Sequence, residues 1–249
     1  MKIIAIIQAR MGATRLPGKM MKDLSGQPVV AHVINRVKMA ASINELWLAT
    51  TIREQDNVLA VWAEEHSVRC FRGSENNVLD RYYQTALKAE ADVVVRITAD
   101  CPLLDYQIVD QVVNKYLEGG SDYVCNTQPP TFPDGLDVEI FSFGALEKAW
   151  KEAKLKSEHE HVTPYIWKQP KIFKIKNVNN SDDLSHHRWT LDTPEDLELI
   201  RKVVKEMSRY DGYCGLECIL QIIEKHPDWQ EINSKYMRND GYQKSVEED

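Results

Sequence analysis

Apolar residues along this chain recur in two rhythms: short continuous runs that mark buried strands, and helically spaced runs between them. Lys2 to Gln8 is a β-rich apolar run, followed by a loop holding Gly12, Pro17 and Gly18, and then by a helical pattern opening at Pro28. Glu45 to Thr51 predicts a second strand, Asn57 to His66 a helix, Val68 to Phe71 a short strand and Asn77 to Ala89 another helix. In that last helix Val78, Leu79, Tyr82, Tyr83, Ala86 and Leu87 share one face. Asp92 to Thr98 reads as a fully buried strand, because Val93, Val94, Val95 and Ile97 leave little polar alternation. This alternation predicts an α/β fold with a doubly wound, mainly parallel sheet of Rossmann-like class.

After Asp122 the rhythm loosens. Tyr123 to Asn126, Leu136 to Phe141 and Lys171 to Val178 predict strands around a loop carrying Pro129, Pro130 and Pro133, so roughly residues 122–180 are expected to form a small inserted region. Arg188 to Leu191 also reads as a strand. It leads into Thr193-Pro194-Glu195-Asp196, where an N-cap threonine, an N1 proline and an acidic N3 residue predict a helix start. Leu197, Ile200, Val203, Val204 and Met207 give that helix its buried stripe, whereas residues 238–249 are polar and expected to fray.

A length of 249 residues fits a single domain spanning 1–249. The net charge of −7 argues against a general nucleic-acid-binding surface, and no apolar run is long enough to span a membrane. The first apolar run stops at Gln8 and Arg10 without a small-residue cleavage site, which places the protein in the cytoplasm. Cys70, Cys101, Cys125, Cys214 and Cys218 are scattered and without a CxxC pair, so reduced thiols are expected rather than disulfides or zinc.

The segment from Gln8 through Ala9, Arg10 and Gly12 to Arg15 and Lys19 sets three cations, two glycines and a hydroxyl directly after the first strand. A strand's carboxyl end opens on the sheet crevice, and glycines let backbone N–H groups approach phosphate oxygens, so this loop is a candidate triphosphate site. Arg15 and Lys19 would neutralise a leaving pyrophosphate. Clustered cations on an acidic chain favour that reading over a solvated loop, and the spacing is not that of a P-loop. Asp100 follows the buried strand and Asp192 the late one; together they are candidate ligands for Mg²⁺, which takes one or two carboxylates plus phosphate oxygens and waters. Asp100 alone reads equally well as a cap for the helix near Asp105.

The run AIIQARMGATRLPGK, followed by LSGQPVVAHVINRV, resembles the opening of the sugar-activating cytidylyltransferases, the group that contains the acylneuraminate and 3-deoxy-manno-octulosonate enzymes. GSENNVLDRYY, VVVRITADCPLLD, FPDGLDVEIF, EHVTPYI and RWTLDTPEDLELI are most similar to the spore-coat polysaccharide SpsF branch. The resemblance runs from Lys2 to about Arg209. It implies that Arg10, Arg15 and Lys19 grip the triphosphate of CTP, and that Asp100 and Asp192 serve the metal. Thr98-Ala99-Asp100 stands where the octulosonate enzymes have Gln-Gly-Asp, so cytosine specificity is implied by the branch alone.

Other residues carry two readings each. Asp137 and Glu139 lie two apart on one strand face, positioned for acceptor hydroxyls or for solvent. His161 is a candidate acceptor contact or a packed cap, and Arg188 is assigned with it to the acceptor. Arg72 and Gly73, with Arg81 in the following helix, meet a ribose or base edge, or form an exposed turn capped by Ser74. Glu158 to His161 are adjacent on a helix and point apart, which excludes a zinc cluster. The expected activity is transfer of a nucleoside monophosphate, CMP from CTP, to a small acidic sugar-like acceptor for surface polysaccharide or glycoconjugate synthesis, and a homodimer is compatible with the sequence. A non-catalytic sugar-nucleotide sensor and a metal-dependent glycosyltransferase are the alternatives.

Overall fold

The computed structural model describes residues 1–249. Strand β1 (Ile3–Gln8) runs through the middle of a seven-stranded sheet. Its side chains divide the core: Ile3, Ala5 and Ile7 face one helical layer, Ile4 and Ile6 the other, so a strand covered on both faces needs an unbroken apolar run. β4 (Glu45–Thr51) and β5 (Arg69–Gly73) continue the sheet in parallel on one side, and β6 (Val93–Thr98) on the other. Beyond β6 come β8 (Glu139–Ser142), β7 (Tyr123–Cys125) and β9 (Ile175–Asn177), and in the order β5-β4-β1-β6-β8-β7-β9 only β8 runs antiparallel. A two-stranded ribbon, β2 (Asp23–Leu24) and β3 (Gln27–Pro28), stands apart.

Helices α1 (Val29–Val37), α2 (Asn57–Glu65), α4 (Tyr106–Leu117), α8 (Pro194–Met207) and α9 (Leu216–Lys225) contribute to the larger core layer. α3 (Val78–Lys88), α5 (Phe143–Glu152) and α7 (Pro164–Trp167) supply the smaller one, with α6 (Lys156–His161) against α3. Local chemistry sets the starts. The Asn77 side chain accepts from Asp80 N at 2.8 Å, and Thr193 and Asp196 cap α8 reciprocally at 3.2 and 3.0 Å.

Four expectations are corrected. The strand predicted from Leu136 begins only at Glu139, because the Asn126 side chain takes the ladder's place, donating to Leu136 O and accepting from Val138 N. Arg188 to Leu191 is extended but outside the sheet, since its neighbours are loops: Trp189 N donates to Asp134 O and Leu191 N to Asp100 O. Residues 238–249 do not fray; Asp240–Glu247 form α10, which packs on α6. Cys214 and Cys218 are disulfide-bonded, because the turn before α9 brings two residues four apart together. The 122–180 stretch adds β7, β8 and β9 to the common sheet.

Gly135 carries the close approach between two of these loops. Its φ is +107°, and a Cβ there would lie 2.6 Å from the Trp189 carbonyl carbon. Gly135→Ala is therefore expected to lower unfolding free energy by about 2 kcal/mol or more. Gly144→Ala, in α5 with only Ser142 Oγ at 4.0 Å, should be neutral or stabilising. Urea midpoints of the two variants should shift in different directions or by clearly different amounts; equal shifts would count against the close-approach argument.

Candidate active site

The carboxyl ends of β1 and β6 open on a cavity of about 670 Å³, within the range of small-molecule sites. At its floor the Lys19 ammonium donates to Asp100 Oδ2 at 2.8 Å, to Asp192 Oδ1 at 2.7 Å and to the Leu191 carbonyl at 2.9 Å. Lys19 enters from a short 3₁₀ turn, Lys19–Met21, that Gly18 starts with a left-handed φ of 70°. Its side chain is 9% exposed, whereas Asp100 and Asp192 keep 25% and 26% of theirs open to the cavity. Burial alone would lower the lysine pKa, but the two carboxylates overcome it and hold it above its ordinary value. Burial likewise works against ionised Asp100, and Lys19 with Thr98 brings it below the usual carboxylate value.

Asp192 is fixed from behind. Its N–H donates to Asp196 Oδ2 at 2.9 Å, and Asp196 also receives Arg188 and Asn233. Arg188 spans Asp196 and Asp134, each at 3.0 Å. With donors shared among Asp134, Asp192 and Asp196, it lines the cavity. Arg15 lies above, 3.2 Å from Asp192 and 2.9 Å from Asp240, and Arg10 stands at the rim, 3.9 Å from Glu160.

The far half of the cavity is formed by Thr127, Gln128, Asp137, His161, Trp167 and residues 239–244. Glu139 also lines it, pairing with Arg96 and accepting from the Tyr123 and Thr163 hydroxyls. Asp137 pairs with Arg238. Burial pushes its pKa up to about 7, with Asp134 and Glu139 adding to the rise and Arg238 opposing it. His161 is held down to about 4 by burial and the nearby Arg96, so its ring is neutral at pH 7 while Nε2 meets Ser245 Oγ at 3.0 Å.

The structure thus brings Gln8, Ala9, Arg10, Arg15, Lys19, Arg81, Asp100, Asp137, His161 and Asp192 to one cavity. Gly12, Arg72 and Gly73 lie outside it: Arg72 bonds the carbonyls of Thr51 and Arg53 at 2.9 and 3.0 Å, bracing the sheet end. Sequence reasoning missed Arg96, Asp134, Asp196, Trp167 and the C-terminal wall. An arginine within a valine strand was the one readable sign, since a cation there needs a buried acid.

Lys19→Met should leave two adjacent carboxylates without their counter-charge and cost on the order of 3 kcal/mol at neutral pH. In the native protein the depressed Asp100 stabilises above its unfolded value, and the raised Lys19 stabilises below its own. Their contribution is therefore complete between about pH 4 and pH 10, fading in acid and in base. The stability gap between native and variant, read from urea unfolding, should narrow below about pH 4. A gap of constant size from neutral pH to pH 3 would show that the aspartates do not depend on Lys19.

A family profile described as cytidylyltransferase matches residues 4–223. An uncharacterized protein of Methanocaldococcus jannaschii is 37% identical over 250 residues, with both chains covered in full. The spore coat polysaccharide biosynthesis protein SpsF of Bacillus subtilis is 29% identical, over 91% of this chain and 95% of its own. Among solved structures, a cytidylyltransferase from Leptospira borgpetersenii superposes with a TM-score of 0.88 at 32% identity, covering 95% of this chain and 100% of its own. With the family profile spanning most of the chain and the charged centre seated at the strand ends, the protein belongs to the cytidylyltransferase family and is a nucleotidyltransferase enzyme.

Proposed function

We propose that the protein transfers CMP from CTP to a small, acidic, sugar-like acceptor and releases pyrophosphate. The observation that carries this reading is the Lys19 bridge between Asp100 and Asp192, set beneath Arg10 and Arg15 where the strand ends open. The family name and the likeness to SpsF support CTP and a polysaccharide precursor.

The site's charge inventory supports a divalent cation. The cations Arg10, Arg15, Lys19, Arg81, Arg96, Arg188 and Lys244 are matched in number by the acids Asp100, Asp134, Asp137, Glu139, Glu160, Asp192 and Asp240. A triphosphate entering a formally neutral cavity needs added positive charge. Asp100 and Asp192 offer hard, partly open oxygen donors suited to Mg²⁺. When bound, Mg²⁺ supplies charge neutralisation at the phosphates. Arg10 and Arg15 bind and orient the triphosphate, with the Arg15 guanidinium offset against the departing pyrophosphate. Lys19 keeps both carboxylates aimed into the cavity. The acceptor lies in the far half beside Asp137, which can take a proton from an attacking hydroxyl at neutral pH. The protein works by positioning and charge cancellation, and forms no covalent intermediate.

A screen of the four NTPs against sugar acids, sugar phosphates and phosphonates, reading pyrophosphate, tests the reading. CTP should give the fastest release with one acceptor class. No release from any pair would sink it. Asp100→Asn and Asp192→Asn should each remain folded and lose at least about 100-fold in turnover, with altered Mg²⁺ titrations; full activity in both would remove the metal site.

Asp137 makes a separate expectation. As a base it must be ionised, so kcat/KM for a hydroxyl acceptor should rise with pH to a plateau above about 7. Asp137→Asn should flatten that limb and lower the plateau about 100-fold. An unchanged profile would leave Asp137 as an acceptor contact only.

A further inference from the structure

Residues beyond the family profile, which ends at 223, return to the cavity and close one side of it. Arg238 donates to Phe132 O at 2.9 Å and pairs with Asp137. Asn239, at a left-handed φ of 60° that asparagine tolerates, turns the chain into α10. The far end of α10 is anchored on α6, where Ser157 N donates to Asp249 Oδ1 at 2.8 Å and Ser245 Oγ donates to Glu160 Oε2 at 2.9 Å. Tyr242 sets its ring against His161 and Trp167, with centroids 5.2 and 5.8 Å apart. Between the Arg238 and Tyr242 contacts, the first residue of α10 is tied to the body of the protein by one exposed ion pair. Asp240 bonds Arg15 at 2.9 Å and Lys244 at 2.8 Å.

Arg15 thus faces two carboxylates with different freedom. Asp192 is tied to Lys19 and, through its backbone, to Asp196. Asp240 sits on a terminal helix, and its partner Arg15 is 35% exposed against 38% for Asp240, the kind of open ion pair that water and competing anions exchange readily. A triphosphate reaching Arg15 brings several charges of the same sign against Asp240. That repulsion falls on the less restrained acid, and Lys244 remains as Asp240's partner after release.

We propose that Asp240 is a positioning residue that occupies Arg15 until a nucleoside triphosphate displaces it, so that nucleotide binding loosens the near end of α10. The inference rests on the nucleotide reading of the Arg10–Lys19 loop given above. Tyr242, Gln243 and Lys244 wall the cavity beside this pair, so the release is felt along that wall. Competition for Arg15 also gives Asp240 an effect opposite to that of a purely structural residue: removing its charge should strengthen nucleotide binding.

Hydrogen exchange of the full chain, with and without saturating CTP and Mg²⁺ and no acceptor, reads the release directly. Amides of residues 238–244 should exchange several-fold faster with CTP bound. Asp240→Asn should bind CTP about two-fold to five-fold more tightly by equilibrium dialysis, since the competitor lost is an exposed ion pair. Exchange that is unchanged or slower in CTP-saturated wild type overturns the proposal while leaving CTP binding intact, as does an Asp240→Asn affinity equal to or weaker than wild type. Failure of every NTP to bind would overturn this inference and the nucleotide reading together. The wild-type exchange measurement stands whether or not the variant folds.

Discussion

A single buried ammonium holds this site together. Lys19 bonds Asp100 beyond β6, Asp192 before α8 and the carbonyl of Leu191, so three distant stretches of chain meet at one nitrogen. The ammonium does not tolerate burial alone: an unpaired lysine at this depth would shed its proton, and the two acids supply the charge that keeps it. Their mutual dependence selects one arrangement of the loops. It also explains why the turn ahead of Lys19 starts at a left-handed glycine, since the backbone must double back from the strand end to bring the side chain under the sheet.

Behind that centre, Asp196 joins helix geometry to site geometry. The carboxylate that caps the start of α8 also receives the Asp192 N–H, the Arg188 guanidinium and the Asn233 amide. Such a buried, satisfied network fixes side-chain direction better than packing alone, because each lost bond would strand a polar group away from water. Arg96 and Glu139 perform the same service on the opposite sheet face, where β6 turns Arg96 away from the layer that receives Val95 and Ile97.

Periodicity made the parallel half of the sheet legible, because strands buried on both faces write themselves as unbroken apolar runs and the helices between them carry clear stripes. The Thr193-Pro194-Glu195-Asp196 cap was equally readable. The loop cations and the two aspartates were legible as types clustered at strand ends, and they do share a cavity. What sequence could not show was which polar residues use one another up. Arg188 and Glu139 carry buried partners that their types and positions do not announce, and Arg72 looks like a rim residue until its carbonyl bonds place it outside. Residues 239–244 were illegible for a different reason: their polar composition is that of a free tail, and their docking depends on α6 and α7, which come together only in the fold.

The balance of charges around the cavity bears on how a substrate arrives. A chain of net charge −7 with a formally neutral mouth offers an anionic nucleotide no attraction at long range. The cations act only over contact distances, well inside the roughly 8 Å over which physiological salt screens exposed charges. Encounter is then governed by diffusion and geometry, without electrostatic steering, and the association rate should be nearly indifferent to ionic strength or rise slightly as salt masks the surrounding acids. Selectivity among anions then falls to contacts made inside the cavity, where the arginines are already paired with carboxylates.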